Sequence, residues 1–204
     1  MIALVLGGAH TVWCDVEALA ELAGIETVEH EHGKPCRKHG RTAHRIPGEW
    51  SGPVIAANDI GVHWPRRLDH LVSLHQEKIQ RWRRDRKRAG YNTDFLVWLT
   101  ENKKLSDRVL PFRHKGSSGM FAPRVAFELN CRGSVLCGIP LDPIAHFRES
   151  AEHKETHGWP HANGYLEVWQ DCEDELKSWG VRSMSGRTRE LLGAPTLEWL
   201  EGRE

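Results

Sequence analysis

The 204 residues carry 28 Lys and Arg against 28 Asp and Glu, a formal net charge of zero, so no global field argues for a nucleic-acid partner and basic stretches must be judged locally. The length fits one domain, 1–204, with enough chain to bury a substantial core, and no segment approaches the ~20 apolar residues of a membrane span. Five cysteines, an odd number, in a chain that opens on a short apolar strand with no basic leader, point to reduced thiols and a cytoplasmic protein.

Ile2 to Leu6 is a five-residue apolar strand, followed by Gly7-Gly8-Ala9-His10-Thr11 and a helix from about Val12 to Ala23. Asp15 and Glu17 suit its first turn, where the helix dipole favours acids. The glycine pair makes a β-loop-α start without the full spacing of a dinucleotide fingerprint. Residues 26–52 break the pattern: they are polar, rich in His, Gly and Arg, and read as an insertion that protrudes as a hairpin or mobile loop. His30, His32, Cys36, His39 and His44 invite a zinc reading, but their spacing matches no usual paired-ligand pattern and the segment holds one thiol. A solvated basic loop with no metal is the expectation.

Pro53 to Ala57 restarts the core as a strand and runs into Asn58-Asp59-Ile60-Gly61-Val62-His63-Trp64. Asn58 and Asp59 stand where a sugar hydroxyl or base edge is read at the carboxyl end of a parallel strand; an Asx-turn is the bland alternative. Leu71 to Leu74 is a third strand, ending at His75. Glu77 to Ala89 is a helix with a dense basic face, read as solvated, the alternative being a phosphate-contacting patch together with the basic loop 34–45. Phe95 to Leu99 is a fourth strand.

From Gly116 the chain reads as a glycine-serine loop, a helix and a buried strand. Gly116 and Gly119 allow close backbone approach to a ligand, while Ser117 and Ser118 offer hydroxyls at a helix start whose free N–H groups face the same spot. Pro123 is expected within the first turn, where it is tolerated. Ser134 to Ile139 is a central parallel strand, and Asp142 follows at its carboxyl end as a candidate catalytic carboxylate. Segment 143–163, with His146, Trp159 and His161, reads as a loop that closes over the sheet edge. Tyr165 to Trp179 is one amphipathic helix, Val181 to Met184 a last strand, and Glu190 to Leu192 and Thr196 to Leu200 short helices.

These elements make an α/β protein, a Rossmann-like three-layer sandwich with a mostly parallel central sheet. Gly7, Gly8, His10, Asn58, Asp59, His63, His75, Ser117, Ser118, Gly119 and Asp142 all fall at carboxyl ends of predicted strands or at the helix start beside them, so they converge on one rim. Trp64 and Trp159 are candidates to stack on a base or sugar ring, and Trp98 and Trp169 belong to the core. Cys14, Cys131, Cys137 and Cys172 read as packed thiols.

Gly-Ser-Ser-Gly-Met-Phe-Ala-Pro-Arg-Val-Ala-Phe-Glu-Leu (116–129), followed by Val-Leu-Cys-Gly-Ile-Pro-Leu-Asp (135–142), resembles the bacterial sialyltransferase-like proteins and their Rossmann-like relatives, and the chain also looks like small proteins encoded in phages and prophages. The family's first motif continues Gly-Pro-Ser where this chain has Ala9-His10-Thr11, and its Gly-Ile-Asp is here Gly138-Ile139-Pro140-Leu141-Asp142. The resemblance implies a Rossmann-like fold that binds a nucleotide or nucleotide-sugar; the expected activity is a glycosyltransferase-like transfer with no cofactor, and the lack of an Asp-x-Asp pair argues against a metal-dependent one. It implies that Gly7 and Gly8 approach phosphate, that Asn58 meets the nucleotide or donor sugar, and that Ser117 to Gly119 meet phosphate or carboxylate. His146 or His161 is then the general base. A non-catalytic nucleotide sensor and a nucleic-acid-associated protein are the alternatives, and the oligomeric state is left open.

Overall fold

The computed structural model describes residues 1–33, 35–36, 39–101, 104–112, 116–143 and 161–204. Its centre is a seven-stranded sheet in which every neighbouring pair is parallel. β1 (Ile2–Leu6) lies in the interior, with β4 (Val54–Ala57), β5 (His70–Val72), β6 (Leu96–Leu99) and β7 (Arg108–Val109) on one flank and β8 (Gly133–Cys137) and β9 (Val181–Ser183) on the other. Residues in β1, β4 and β8 are buried on both faces, the expected consequence of continuous apolar runs flanked by helices.

The two-residue period of a strand sorts these runs into two cores. Leu4 and Leu6 join one cluster with Val12, Trp13 and Val16 of α1 (Val12–Leu22), Ile60 of α2 (Ile60–His63), and Ile79 and Trp82 of α3 (Ile79–Arg88). Ala3 and Val5 join the other with Met120 and Val125 of α4 (Ser118–Glu128), Trp169 of α5 (Ala162–Asp171) and Leu176 of α6 (Glu173–Ser178). The result is a three-layer α/β sandwich of Rossmann-like type, as the sequence pattern predicts. Two short helices, α7 (Gly186–Leu192) and α8 (Leu197–Glu201), close the chain.

Residues 27–47 form an antiparallel hairpin, β2 (Thr27–Glu31) with β3 (Ala43–Pro47). A hairpin is one of the two forms expected for this segment, and one face of it packs on α1. His44 and Ile46 are fully buried, and Glu17 of α1 accepts from the Arg41 guanidinium and from the backbone N–H of Arg45. Glu17 is therefore a clasp for the hairpin, not a dipole ornament. Three further expectations shift. Pro123 is the sixth residue of α4, so it withholds the N–H that the Gly119 carbonyl would otherwise meet. The helix expected over 165–179 breaks at Cys172, and β7 is an added edge strand that the sequence does not announce. Among the described residues, no helix is long and apolar enough to cross a membrane.

Candidate functional site: a cleft at the ends of β4 and β5

Strand order reverses between β1 and β8, the position where open parallel sheets hold ligands. Here the loops after β1 and β8 are hydrogen-bonded to each other. Gly7 N–H donates to the Cys137 carbonyl at 2.8 Å and Ala9 N–H to the Gly138 carbonyl at 3.1 Å. Asp15 accepts from Gly138 N–H at 2.8 Å, Ser185 Oγ at 2.7 Å and Thr11 Oγ1 at 2.9 Å. Asp15 thus locks the two loops together, a role hidden in a sequence reading that sees only a helix's first turn. Burial, with Asp15 beside it, pushes the Cys137 thiol well up, so Cys137 is a packed thiol.

Gly7 and Gly119 serve this closure. A Cβ at Gly7 would stand 2.3 Å from Ile139 Cγ1 and 2.4 Å from the Gly138 carbonyl oxygen, and one at Gly119 would stand 3.2 Å from Ile139 Cγ2. The buried Ile139 side chain therefore lies against both glycines. Gly8 and His10 are half-buried in the same turn.

Among the described residues, an open cleft lies one strand further out. A cleft of about 1130 Å³ runs beside the carboxyl ends of β4 and β5, and Asn58, Asp59, His63 and His75 all line it. Its walls are Trp13 of α1, His30 and His32 of the hairpin, and Lys78, Arg81 and Trp82 of α3. Four of the residues singled out from sequence thus share one cavity. Asn58 takes a left-handed backbone, φ 65°, which asparagine tolerates better than other non-glycine residues. Its Oδ1 accepts from Ser73 Oγ at 2.7 Å, and Ser73 Oγ in turn accepts from His75 N–H at 2.8 Å. The next amide, Leu74 N–H, donates to Ser118 Oγ at 3.1 Å. The chain Asn58–Ser73–His75 fixes the cleft's rim, and buried Ser118 pins the adjoining loop to the start of α4. Ser117 is the N-cap residue of α4, with extended backbone.

Trp13, His30, His32, Lys78 and Arg81 were missed as site residues because their sequence contexts argue for core, loop and solvated helix respectively. Trp13 stacks between His32 (5.2 Å, 10°) and Trp64 (6.4 Å, 9°). Burial pushes His30 below the usual histidine range, which keeps it neutral near pH ~7. Trp64 is not a stacking platform: it is 1% exposed and its Nε1 donates to the Arg67 carbonyl at 3.0 Å. Nor is α3 wholly solvated. Arg86 is buried and donates to the carbonyls of Gly61, Trp64, Arg66 and Asn92, while Arg83 pairs with Asp107 at 2.9 Å.

Asp142 and His161 sit elsewhere on the rim and do not line the cleft. Asp142 is half-buried beyond β8, next to Leu141, whose left-handed φ of 54° is a strained state for a leucine. Burial pushes its carboxyl upward, the Arg187 guanidinium pulls it back, and Glu190 adds to the rise. Arg187 also donates to Asn163 Oδ1 at 2.7 Å. His161 is exposed at the start of α5, its ring edge-on to Tyr165. His146 and Trp159 lie outside the described residues, as does most of the segment 143–163.

One cluster can hold a metal. Cys14 of α1, Cys36 and His39 of the hairpin's turn, and His44 of β3 present ligand atoms that all lie within 4.8 Å of one another. The second thiol of this group comes from α1, outside the segment in which the sequence reading looked for ligands.

No sequence-family model matches the chain, and no curated protein matches it. Solved structures do. A variant of the sialyltransferase CST-II in complex with CMP aligns with a TM-score of 0.54 at 10% identity, over 97% of this chain and 87% of that one. CST-II with a trisaccharide acceptor and CMP gives 0.53 at 10% identity, over 96% and 87%. The Campylobacter jejuni sialyltransferase CstII with a CMP-linked substrate analogue gives 0.52 at 9% identity, over 96% and 87%. At these identities the likeness is one of architecture, and the chain has the CstII sialyltransferase fold.

Proposed function

We propose that this protein is a glycosyltransferase-like transferase that takes a nucleotide-activated sugar, with a cytidine nucleotide as the leaving group. The observation that carries the reading is the near-complete overlap with a fold whose solved examples hold CMP, combined with a cleft at the strand ends that Asn58 and Asp59 line. In this reading Asn58 reads the nucleotide or donor sugar, and Lys78 and Arg81 meet the phosphate as charged donors. The acceptor hydroxyl attacks the anomeric carbon, and the sugar–phosphate bond breaks with its electron pair leaving on CMP. The hydroxyl proton passes to a histidine, whose ordinary pKa suits a general base near neutrality. His63 and His75 stand in the cleft for that role, and His161 and Asp142 stand on the adjoining rim.

Calorimetric titration with CMP, UMP, AMP and GMP tests binding, and release of CMP from a CMP-activated sialic acid tests turnover. Expected is one equivalent of CMP bound, weakened about tenfold or more in Asn58→Gly, since ~1.4 kcal/mol is the scale of one lost hydrogen bond. Binding with no turnover in the presence of varied acceptors identifies a nucleotide-binding module instead. Failure of all four nucleotides to bind sinks both readings.

A further inference from the structure

Between α1 and the β2–β3 hairpin, two thiols and two imidazoles meet at spacings that packing alone does not require. Cys14 Sγ lies 3.7 Å from Cys36 Sγ, 3.6 Å from His39 Nδ1 and 3.4 Å from His44 Nε2, and Cys36 Sγ lies 3.9 Å from His39 Nδ1. A tetrahedral zinc with bonds of ~2.3 Å to sulfur and ~2.05 Å to nitrogen sets its ligands about 3.8 Å apart for sulfur–sulfur and about 3.6 Å apart for sulfur–nitrogen. The four observed separations bracket those values within a few tenths of an ångström. We propose that Cys14, Cys36, His39 and His44 form a zinc site that fastens the hairpin to α1.

The surroundings fit a structural ion. Cys14, Cys36 and His44 are buried and His39 alone is exposed. Four protein ligands leave no open position, the mark of a closed structural site. Two thiolates and two neutral imidazoles select zinc over the hard cations that take oxygen. Binding sends both thiol protons to solvent, and the two thiolates neutralise the ion's charge. His44 Nδ1, the nitrogen turned away from the cluster, is 2.7 Å from His32 Nε2. A metal-ligating histidine ordinarily donates from its second nitrogen in this way, which fixes its tautomer. The turn that carries Cys36 and His39 is itself tied, with Cys36 N–H donating to the Arg41 carbonyl at 2.7 Å and Gly40 N–H to the Cys36 carbonyl at 2.8 Å. Through His32, which stacks on Trp13 and lines the cleft, the ion would hold one wall of the cleft. The site stands whether or not the cleft takes a nucleotide.

The test is metal content of the full chain, purified under reductant, incubated with zinc sulfate and dialysed, read by inductively coupled plasma mass spectrometry. One zinc per chain is expected, and replacement by cobalt should give the ligand-field bands of a tetrahedral ion with thiolate-to-metal charge transfer. Cys36→Ser and Cys14→Ser should each lose the metal, while Cys131→Ser should keep it. Because Cys14 is buried and its variant can fail to fold, His39→Ala serves as the second probe. It should fold and bind zinc at least tenfold more weakly. A wild-type chain that holds no zinc, a His39→Ala chain of unchanged affinity, or a Cys14–Cys36 disulfide in its place overturns the proposal.

Discussion

Arg86 makes the sharpest stability prediction. Its side chain is 1% exposed, on a helix whose other buried residues are the apolar Ile79 and Trp82. Nη1 reaches the Gly61 and Trp64 carbonyls at 2.6 and 2.5 Å, Nη2 the Arg66 carbonyl at 3.0 Å, and Nε the Asn92 carbonyl at 2.6 Å. The guanidinium thus gathers the chain leaving α2 and ties it to the loop after α3. Four charge-assisted bonds at ~1.5 kcal/mol each total roughly 6 kcal/mol. Dehydration of the cation, which pushes its pKa down to about 10, offsets about half of that, leaving a net of ~3 kcal/mol. Arg86→Met should therefore lower the Tm by roughly 6–12 °C in a domain of this size. Arg86→Lys should recover little, because an ammonium cannot span four carbonyls held in a planar fork. The assay is thermal unfolding by circular dichroism, alongside Arg84→Met, an exposed neighbour on the same helix, as the control. A loss in Arg86→Met no larger than in Arg84→Met refutes the reasoning.

Gly7→Ala should destabilise by ~1–3 kcal/mol through overpacking, since its Cβ would meet the Gly138 carbonyl oxygen at 2.4 Å, whereas Gly119→Ala meets only side chains beyond 3.1 Å and should lose much less; equal urea midpoints would contradict this. His70 accepts from Trp98 Nε1 at 3.1 Å and burial depresses its pKa, so the unfolded chain takes up the proton more readily and stability falls as pH drops below ~6.5. His70→Gln keeps an acceptor without the titration, and its urea midpoint should fall less than wild type between pH ~7.5 and ~5.5. Asp15→Ala strands Gly138 N–H and should lower stability by ~1–3 kcal/mol, read in the same denaturant series; an unchanged midpoint would show that the lock at the β1–β8 crevice is dispensable. Lys78→Ala with Arg81→Ala should leave the Tm within a few degrees, because both residues are exposed, yet flatten the salt dependence of CMP affinity; a salt dependence identical to wild type removes them from the phosphate role.

The sheet was legible because parallel strands buried on both faces have little choice but continuous apolar runs, and Ile2–Leu6, Val54–Ala57 and Gly133–Cys137 are such runs. The carboxyl ends of Val54–Ala57 and of the next strand pointed to Asn58, Asp59, His63 and His75, which do share a cleft. What stayed hidden is whatever depends on long-range partners. Arg86 looks like its solvated neighbours until four carbonyls 6 to 25 residues away close on it. Cys14 lies 22 residues before Cys36, inside a helix whose local pattern explains it as core. The Gly-Ser-Ser-Gly stretch has tertiary partners its local pattern does not announce: Gly116 lies against Met120, Gly119 against Ile139, and Ser118 accepts from Leu74 N–H. Local chemistry states what a segment permits, and tertiary contacts decide which permission is used.

The interior position of β1 has a consequence for how the chain is made. Its first flank pairs in the register Leu4 with Val54, but its second waits for Ile2 to meet Gly133, roughly 80 residues later in synthesis. At ~5–20 residues per second that interval is about 4–16 s, during which an apolar strand has an unsatisfied edge. Loop closure over such separations is also the slow class of folding event. Chain emergence, rather than packing, then sets the period in which this protein is most exposed to misassociation, and mutations that delay the arrival of β8 would act on yield before they act on the folded molecule.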